Sequence, residues 1–307
     1  MKKLALMVAV ALLQAGGLWG ADFALLNSDV RTVAYFEQAY EPFKCNVGDW
    51  NLGTQEYERY YKGWEFVLEE LELEGKTYEV IKDIDITPSR LADFKVLILS
   101  NNFWLDGYQT KVVSEWVRRG GRLLATFGTG YAGIEGDFVS GGTNGLHELW
   151  GDPSRKVNSS FYLGNPWVKV RITRNTGPTQ GFSAGDVLDY QYMANLLTKR
   201  PLNSRDINGF FVFDFPPYES NADILTRYPA IFNNRHSGGR AVYYAFAPEY
   251  LVSLAFDVAG HCANDTRYPA GTQAAGLQAG ESPNGFSTLA AGLKPLMRST
   301  LNYLLTQ

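Results

Sequence analysis

Apolar positions along the chain fall into short unbroken runs that alternate with stripes at helical spacing. Val30 to Phe36, VRTVAYF, is rich in β-branched and aromatic residues and predicts a first strand. A loop with Pro42, Gly48 and Gly53 follows. From Thr54 to about Leu73 the residues Tyr57, Tyr60, Tyr61, Trp64, Val67, Leu68 and Leu71 recur at helical spacing, and Gly75 supplies a stop. Tyr78 to Ile81 predicts a second strand and Pro88 to Ala92 one helical turn. Phe94 to Leu99, FKVLIL, is nearly all apolar, as a strand covered on both faces requires. Tyr108 to Arg119 is amphipathic, with Val112, Val113 and Trp116 on one side, and ends in Gly120-Gly121. Arg122 to Phe127 is another buried strand, closed by Gly128-Thr129-Gly130. This alternation with short links predicts an α/β fold of the flavodoxin-like kind, a parallel sheet with helices on both faces. Such sheets bind ligands at the carboxyl ends of their strands.

The second half adds strands of a different spacing. Val168 to Ile172 and Phe210 to Phe213 predict strands. Ala230 to Phe232 and Arg240 to Phe246 predict a pair joined by the turn-rich segment Asn233 to Gly239. Leu146 to Trp150 suits a short helix, and Leu293 to Leu305 an amphipathic closing helix. Gly136 to Gly145 and the Gly/Ala/Pro/Asn-rich Ala263 to Gly285 are loops. No repeat and no dividing linker interrupts the chain, so residues 22–307 are expected to form one domain.

The N-terminus has another character. Met1-Lys2-Lys3 precedes the apolar run Leu4 to Leu13, and small residues follow at Ala15, Gly16, Gly17, Gly20 and Ala21. That succession predicts a secretory signal over residues 1–21, with a mature start between about Leu18 and Phe23. The alternative is an uncleaved anchor or a buried helix. A cleaved signal makes the protein secreted or periplasmic, with no stable membrane span after processing. The 307 residues carry 28 basic and 32 acidic side chains, a formal charge of -4. Loss of Lys2 and Lys3 takes it to -6. No basic surplus exists to neutralise phosphates, so nucleic acid is not an expected partner. Two cysteines cannot build a Cys-rich zinc site. In an oxidising compartment Cys45 and Cys262 either pair or stay as two buried thiols.

Several motifs offer chemistry. Gly128, Gly130 and Gly133 match G-x-G-x-x-G, but after a late strand and before no clean helix, so a tight turn needing positive φ is the simpler reading and no cofactor is expected. Ser183 lies in Gly181-Phe182-Ser183-Ala184-Gly185, yet a loop precedes it where a nucleophilic serine needs a strand. His147, His236 and His261 have no second histidine at helical spacing, so no metal is expected. His261 lies near Asp257 and Asp265, where it suits a base or a solvated loop residue.

Two strand ends carry a resemblance. Leu123 to Gly130, LLATFGTG, resembles the nucleophile elbow of the class I glutamine amidotransferase-like superfamily, which places a cysteine at the position of Gly128. Phe246-Ala247-Pro248-Glu249 is similar to the strand end that supplies the superfamily's His and Glu, with Ala247 in place of the His. A closer resemblance is to the amidotransferase-like trimerisation domain of β-galactosidases. Its matching stretches include Val96 to Asn101, the run Trp116 to Thr126, Leu149-Trp150-Gly151, Gly239 to Tyr244 and Pro295-Leu296-Met297, spread over residues 30–305.

The resemblance implies a domain without amidotransferase chemistry, since glycine and alanine can neither attack nor move a proton. It implies a strand-end pocket of Glu37, Asn101, Asn102, Phe103, Trp104, Gly128, Thr129, Gly130, Tyr131 and Glu249. Aromatic faces with amides and carboxylates suit sugars. The expected function is binding of a carbohydrate or a partner glycosidase in polysaccharide metabolism. Two alternatives stay open. One is a glycan hydrolase or lyase that uses Glu135, Asp137 and Glu249 as its carboxylates. The other is a structural module that forms a homo-oligomer. In the related fold the elbow holds a strained backbone. Glycine at Gly128 is expected to relieve that strain and leave an open floor, with Thr129 and Tyr131 at the rim and Asn101 and Trp104 opposite.

Overall fold

The apolar runs become neighbouring strands of one sheet in the computed structural model, which describes residues 20–30, 52–130, 146–150, 168–190, 207–213, 228–257 and 284–307. Nine strands follow in the order β2-β1-β3-β4-β9-β8-β7-β5-β6. They are β1 Ala21–Leu26, β2 Tyr78–Ile81, β3 Phe94–Leu99, β4 Arg122–Thr126, β5 Val168–Ile172, β6 Val187–Asp189, β7 Ile207–Phe213, β8 Pro229–His236 and β9 Gly239–Tyr244. From β2 to β9 neighbours run parallel, and from β9 to β6 antiparallel. The parallel half thus has the 2-1-3-4-5 order of a flavodoxin-like sheet, with β9 as its fifth strand. The α/β class predicted from the alternation is the one observed.

Among the described residues five α-helices cover the sheet: α1 Leu52–Leu73, α2 Pro88–Leu91, α3 Gly107–Arg118, α4 Pro248–Asp257 and α5 Asn284–Thr306. Helix α1 buries Tyr57, Tyr60, Trp64, Val67, Leu68 and Leu71, the stripe read from the sequence. It packs on α4, and α4 packs on α5. Helices α2 and α3 contact one another, and right-handed crossovers place this pair on the other face. Thr87 caps α2, and an Asp106–Gln109 capping box opens α3. With helices above and below, β3 and β4 bury almost every side chain, each large apolar one contributing about 1.5–3 kcal/mol.

The strand predicted at Val30 to Phe36 is not the first strand. Val30 stands exposed in a bend, and residues 31–36 lie outside the described residues. The first strand is ADFALL, Ala21–Leu26, buried between β2 and β3. Its six residues follow closely on the apolar N-terminal stretch of the sequence, and that proximity hides them. Further departures are a three-residue β6, the helix α4 directly after β9, and an α5 that starts at Asn284 rather than Leu293.

Candidate functional site

The carboxyl ends of β3 and β4 and the start of α4 meet at the elbow. After Thr126 the chain turns through Phe127, whose φ of 45° lies in the left-handed region. Phe127 donates its N–H to the Tyr244 carbonyl (2.8 Å), while its own carbonyl accepts from the Tyr243 hydroxyl. The constrained residue is therefore Phe127 and not Gly128, which has no positive φ; Gly130 does, at 74°. An aromatic side chain in this region costs about 1–3 kcal/mol. Packing of Phe127 in the core and its two main-chain bonds offset that cost.

The space above Gly128 is filled. Asn101, itself at φ 48°, accepts the Gly128 N–H on Oδ1 (3.0 Å) and donates its own N–H to Thr126 Oγ1 (3.1 Å). A Cβ on Gly128 would stand 2.7 Å from both Asn101 Oδ1 and the Phe103 ring. The open floor expected at Gly128 is thus occupied by these two side chains. Thr129 donates to the Thr126 carbonyl (2.7 Å), and the Gly130 N–H reaches the Asn102 carbonyl (2.9 Å). Asn102 Nδ2 donates to the Tyr57 hydroxyl (2.8 Å), which also accepts the Ser28 N–H (2.8 Å) and lies 3.2 Å from the Leu26 carbonyl. Burial pushes the Tyr57 phenol far upward, so it stays a neutral hydroxyl that links the ends of β1 and β3.

Glu249 lies under the elbow in the first turn of α4, fully buried. The helix can sit there because Gly63 of α1 has no side chain; a Cβ on it would stand 1.9 Å from the Glu249 carbonyl. Glu249 Oε1 accepts from Thr126 Oγ1 and from Ser100 Oγ (3.3 Å), whereas Oε2 is buried without a partner. Burial raises the carboxyl to about pH 8, against the lowering effect of those hydroxyls. A proton is therefore held on this acid at neutral pH. Ala247, at the position of the superfamily's His, is buried, and its N–H donates to the Tyr190 hydroxyl (3.0 Å).

Of the candidate residues, Asn101, Asn102, Gly128, Thr129, Gly130 and Glu249 come together, all buried, with Trp104 half-buried beside them. They form a hydrogen-bonded floor. Glu37, Tyr131, Glu135, Asp137, Cys45, Cys262 and His261 lie outside the described residues. The other motifs stay apart from the elbow. Ser183 is exposed in a turn before β6, its N–H bound to Asp186 (2.7 Å). His236 contacts the Leu149 carbonyl (2.9 Å) and Asn234 (3.0 Å). Sequence reasoning missed Tyr57, Tyr190 and Tyr243, whose hydroxyls tie the elbow; Tyr57 and Tyr243 stand in an apolar stripe and a strand and look there like core, and Tyr190 follows the short β6, which has no clear period. Among the described residues no cluster of His, Cys, Asp or Glu could hold a metal ion, and no helix is long and apolar enough to cross a membrane.

Fold and elbow together define a doubly wound α/β protein with Gly128 and Ala247 at the ends of its two central parallel strands. No protein-family model and no curated protein matches the sequence. Among solved structures the chain is similar to a β-galactosidase from Bacillus circulans sp. alkalophilus, at 14% identity and a TM-score of 0.48, over 76% of this chain and 30% of that one. It is likewise similar to a β-galactosidase from the haloarchaeon Halorubrum lacusprofundi, at 13% identity and a TM-score of 0.48, over 78% of this chain and 30% of that one. A third is a ThuA-like protein from Bacteroides uniformis, at 11% identity and a TM-score of 0.47, over 74% and 82% of the two chains. The chain spans under a third of the length of those β-galactosidases.

Proposed function

We propose that this chain is a secreted, non-catalytic domain of amidotransferase-like fold that works by binding. Its target is a carbohydrate or a partner glycosidase in polysaccharide metabolism. One observation carries the non-catalytic reading. Gly128 and Ala247 stand at the positions where the resembled superfamily has its nucleophile and base, and Glu249 is fully buried beneath them with Oε1 bound to Thr126 and Ser100. The sequence stretches shared with the β-galactosidase trimerisation domain support the glycosidase setting. The glycosidase's own barrel has no counterpart in those stretches.

Purified protein should release no ammonia from glutamine and should bind immobilised glycans, or a co-expressed glycosidase, without turning glycans over. Glycan hydrolysis that a Glu249→Gln change abolishes would replace this reading with the hydrolase. The carboxyl of Glu249, which burial keeps protonated at neutral pH, is the one feature that favours the hydrolase. A mass that rises with concentration, with no glycan binding, would leave the oligomerisation module.

A further inference from the structure

β2 stands at an edge of the sheet, paired with β1 alone. The Phe23 N–H donates to the Thr77 carbonyl (3.1 Å) and the Asn27 N–H to the Ile81 carbonyl (2.9 Å). Main-chain groups alternate sides along a strand. Thr77, Glu79 and Ile81 therefore face β1, and the N–H and carbonyl groups of Tyr78 and Val80 point away from the sheet. Among the described residues no main-chain group bonds to them. Native sheets blunt such an edge with lysine, proline or a bulge, and Tyr78–Ile81, YEVI, has none of these. The open row ends where the Lys82 N–H turns back to Asp85 Oδ2 (2.8 Å). Leu73 and Ile84, 90% and 85% exposed, flank the strand as bare apolar side chains.

The helix beside this edge is acidic. Glu65, Glu69 and Glu72 recur at helical spacing on α1. Burial, and then the charges of these three glutamates, push the Tyr78 phenol up, which sets the stripe next to the outer strand. Among the described residues none of the three forms an ion pair, whereas Glu70 and Glu74 of the same helix are bound by Lys294 and Arg298 of α5. Burial and the charge of Glu69 push the Glu65 carboxyl up, so the stripe repels itself. The cations nearby are engaged or stand at the margins. Lys62 pairs with Glu58 (2.9 Å), Arg90 is held by Glu79 and Asp93, and Lys76 and Lys82 flank β2 at its two ends. Edge-to-edge pairing of two copies would set one acidic stripe against another, so a second copy suits this edge poorly.

We propose that the open edge of β2 docks an extended segment of another protein that carries lysine or arginine at alternate positions and joins the sheet as a further strand. Main-chain bonds to Tyr78 and Val80 hold the segment, and its cations lie over Glu65, Glu69 and Glu72. This surface is separate from the elbow and acts whether or not the chain binds glycans. The test is amide hydrogen exchange of the full chain, with and without an acetylated, amidated heptapeptide of alternating lysine and valine, set against its glutamate-valine counterpart. At saturating lysine peptide the Val80 N–H is expected to exchange at least about tenfold more slowly, and the glutamate peptide should leave it unchanged. Glu65→Gln, Glu69→Gln and Glu72→Gln together should weaken binding of the lysine peptide about tenfold, the sum of a few surface charge pairs. Val80→Pro removes an outward N–H and no bond to β1, and should weaken binding by a similar factor. Equal binding of the two peptides, binding of neither, or binding that leaves the Val80 N–H unprotected overturns the proposal. Binding undiminished in either variant, in protein that still unfolds cooperatively, overturns it as well. Protection that rises with protein concentration in the absence of peptide assigns the edge to a second copy and overturns it too.

Discussion

At the scale of single residues, Glu249 behaves unlike an ordinary glutamate. Its carboxyl binds a proton up to about pH 8 in the folded protein and only to about pH 4.5 when exposed. Between those values the folded state holds a proton that the unfolded state has lost, so stability falls as pH rises. The slope from this one group is at most about 1.4 kcal/mol per pH unit. The contribution is full below pH 4.5 and gone above pH 8. Urea unfolding at pH 5, 6, 7 and 8 should show that decline, and Glu249→Gln, neutral throughout, should flatten it. An unchanged slope would mean that the carboxyl is not the group titrating. Gly128 gives a second residue-scale expectation. Gly128→Ala forces the Asn101 amide and the Phe103 ring apart and should cost about 1–3 kcal/mol, read as a lower urea midpoint. Gly128→Cys should suffer the same loss and gain no amidase activity, because Ala247 supplies no base.

At the scale of elements, Gly63 sets how closely α1 and α4 approach. A methyl group there would overlap the Glu249 carbonyl, which belongs to rigid helical backbone. Gly63→Ala should therefore cost about 3 kcal/mol or more and shift the thermal midpoint more than the same change at Gly75, where a Cβ meets nothing. The elements with a clear period were legible in the sequence. FKVLIL, the Tyr57 to Leu71 stripe and the Tyr78 to Ile81 strand lie where their patterns put them. β1 was hidden because ADFALL lies close behind the apolar stretch Leu4 to Leu13. The start of α5 was hidden because Gly285, Ser287, Thr288 and Gly292 are weak helix formers, and packing of Leu289, Ala290 and Leu293 overrides them. The elbow's location was legible from LLATFGTG, but its constraint was not. Which residue takes a positive φ depends on where Tyr243 and Asn101 reach from other strands, and local spacing carries no record of that.

At the scale of the whole molecule, β1 limits where an export signal can end. Ala21 pairs with Phe94, and the Gly20 N–H donates to the Asp93 carbonyl (2.7 Å). Trimming beyond Ala21 would shorten a strand that is paired on both sides, between β2 and β3. The mature exported protein is accordingly expected to begin between Leu18 and Ala21, within the wider window the sequence allowed, and intact-mass measurement of exported protein would check it. A start at Phe23 or later, in protein that stays folded, would contradict the role of β1. The sheet's order has a different consequence, in time rather than space. β9 closes the parallel half, yet Arg122 of β4 waits for Arg240, and the antiparallel strands are made in between. Until residue 244 has been synthesised, β4 presents a bare, apolar edge, the kind of surface that recruits other chains. Folding that depends on so distant a partner is slow and exposed to aggregation. A chain stopped after β8 should collect as insoluble material, although it contains four of the five parallel strands.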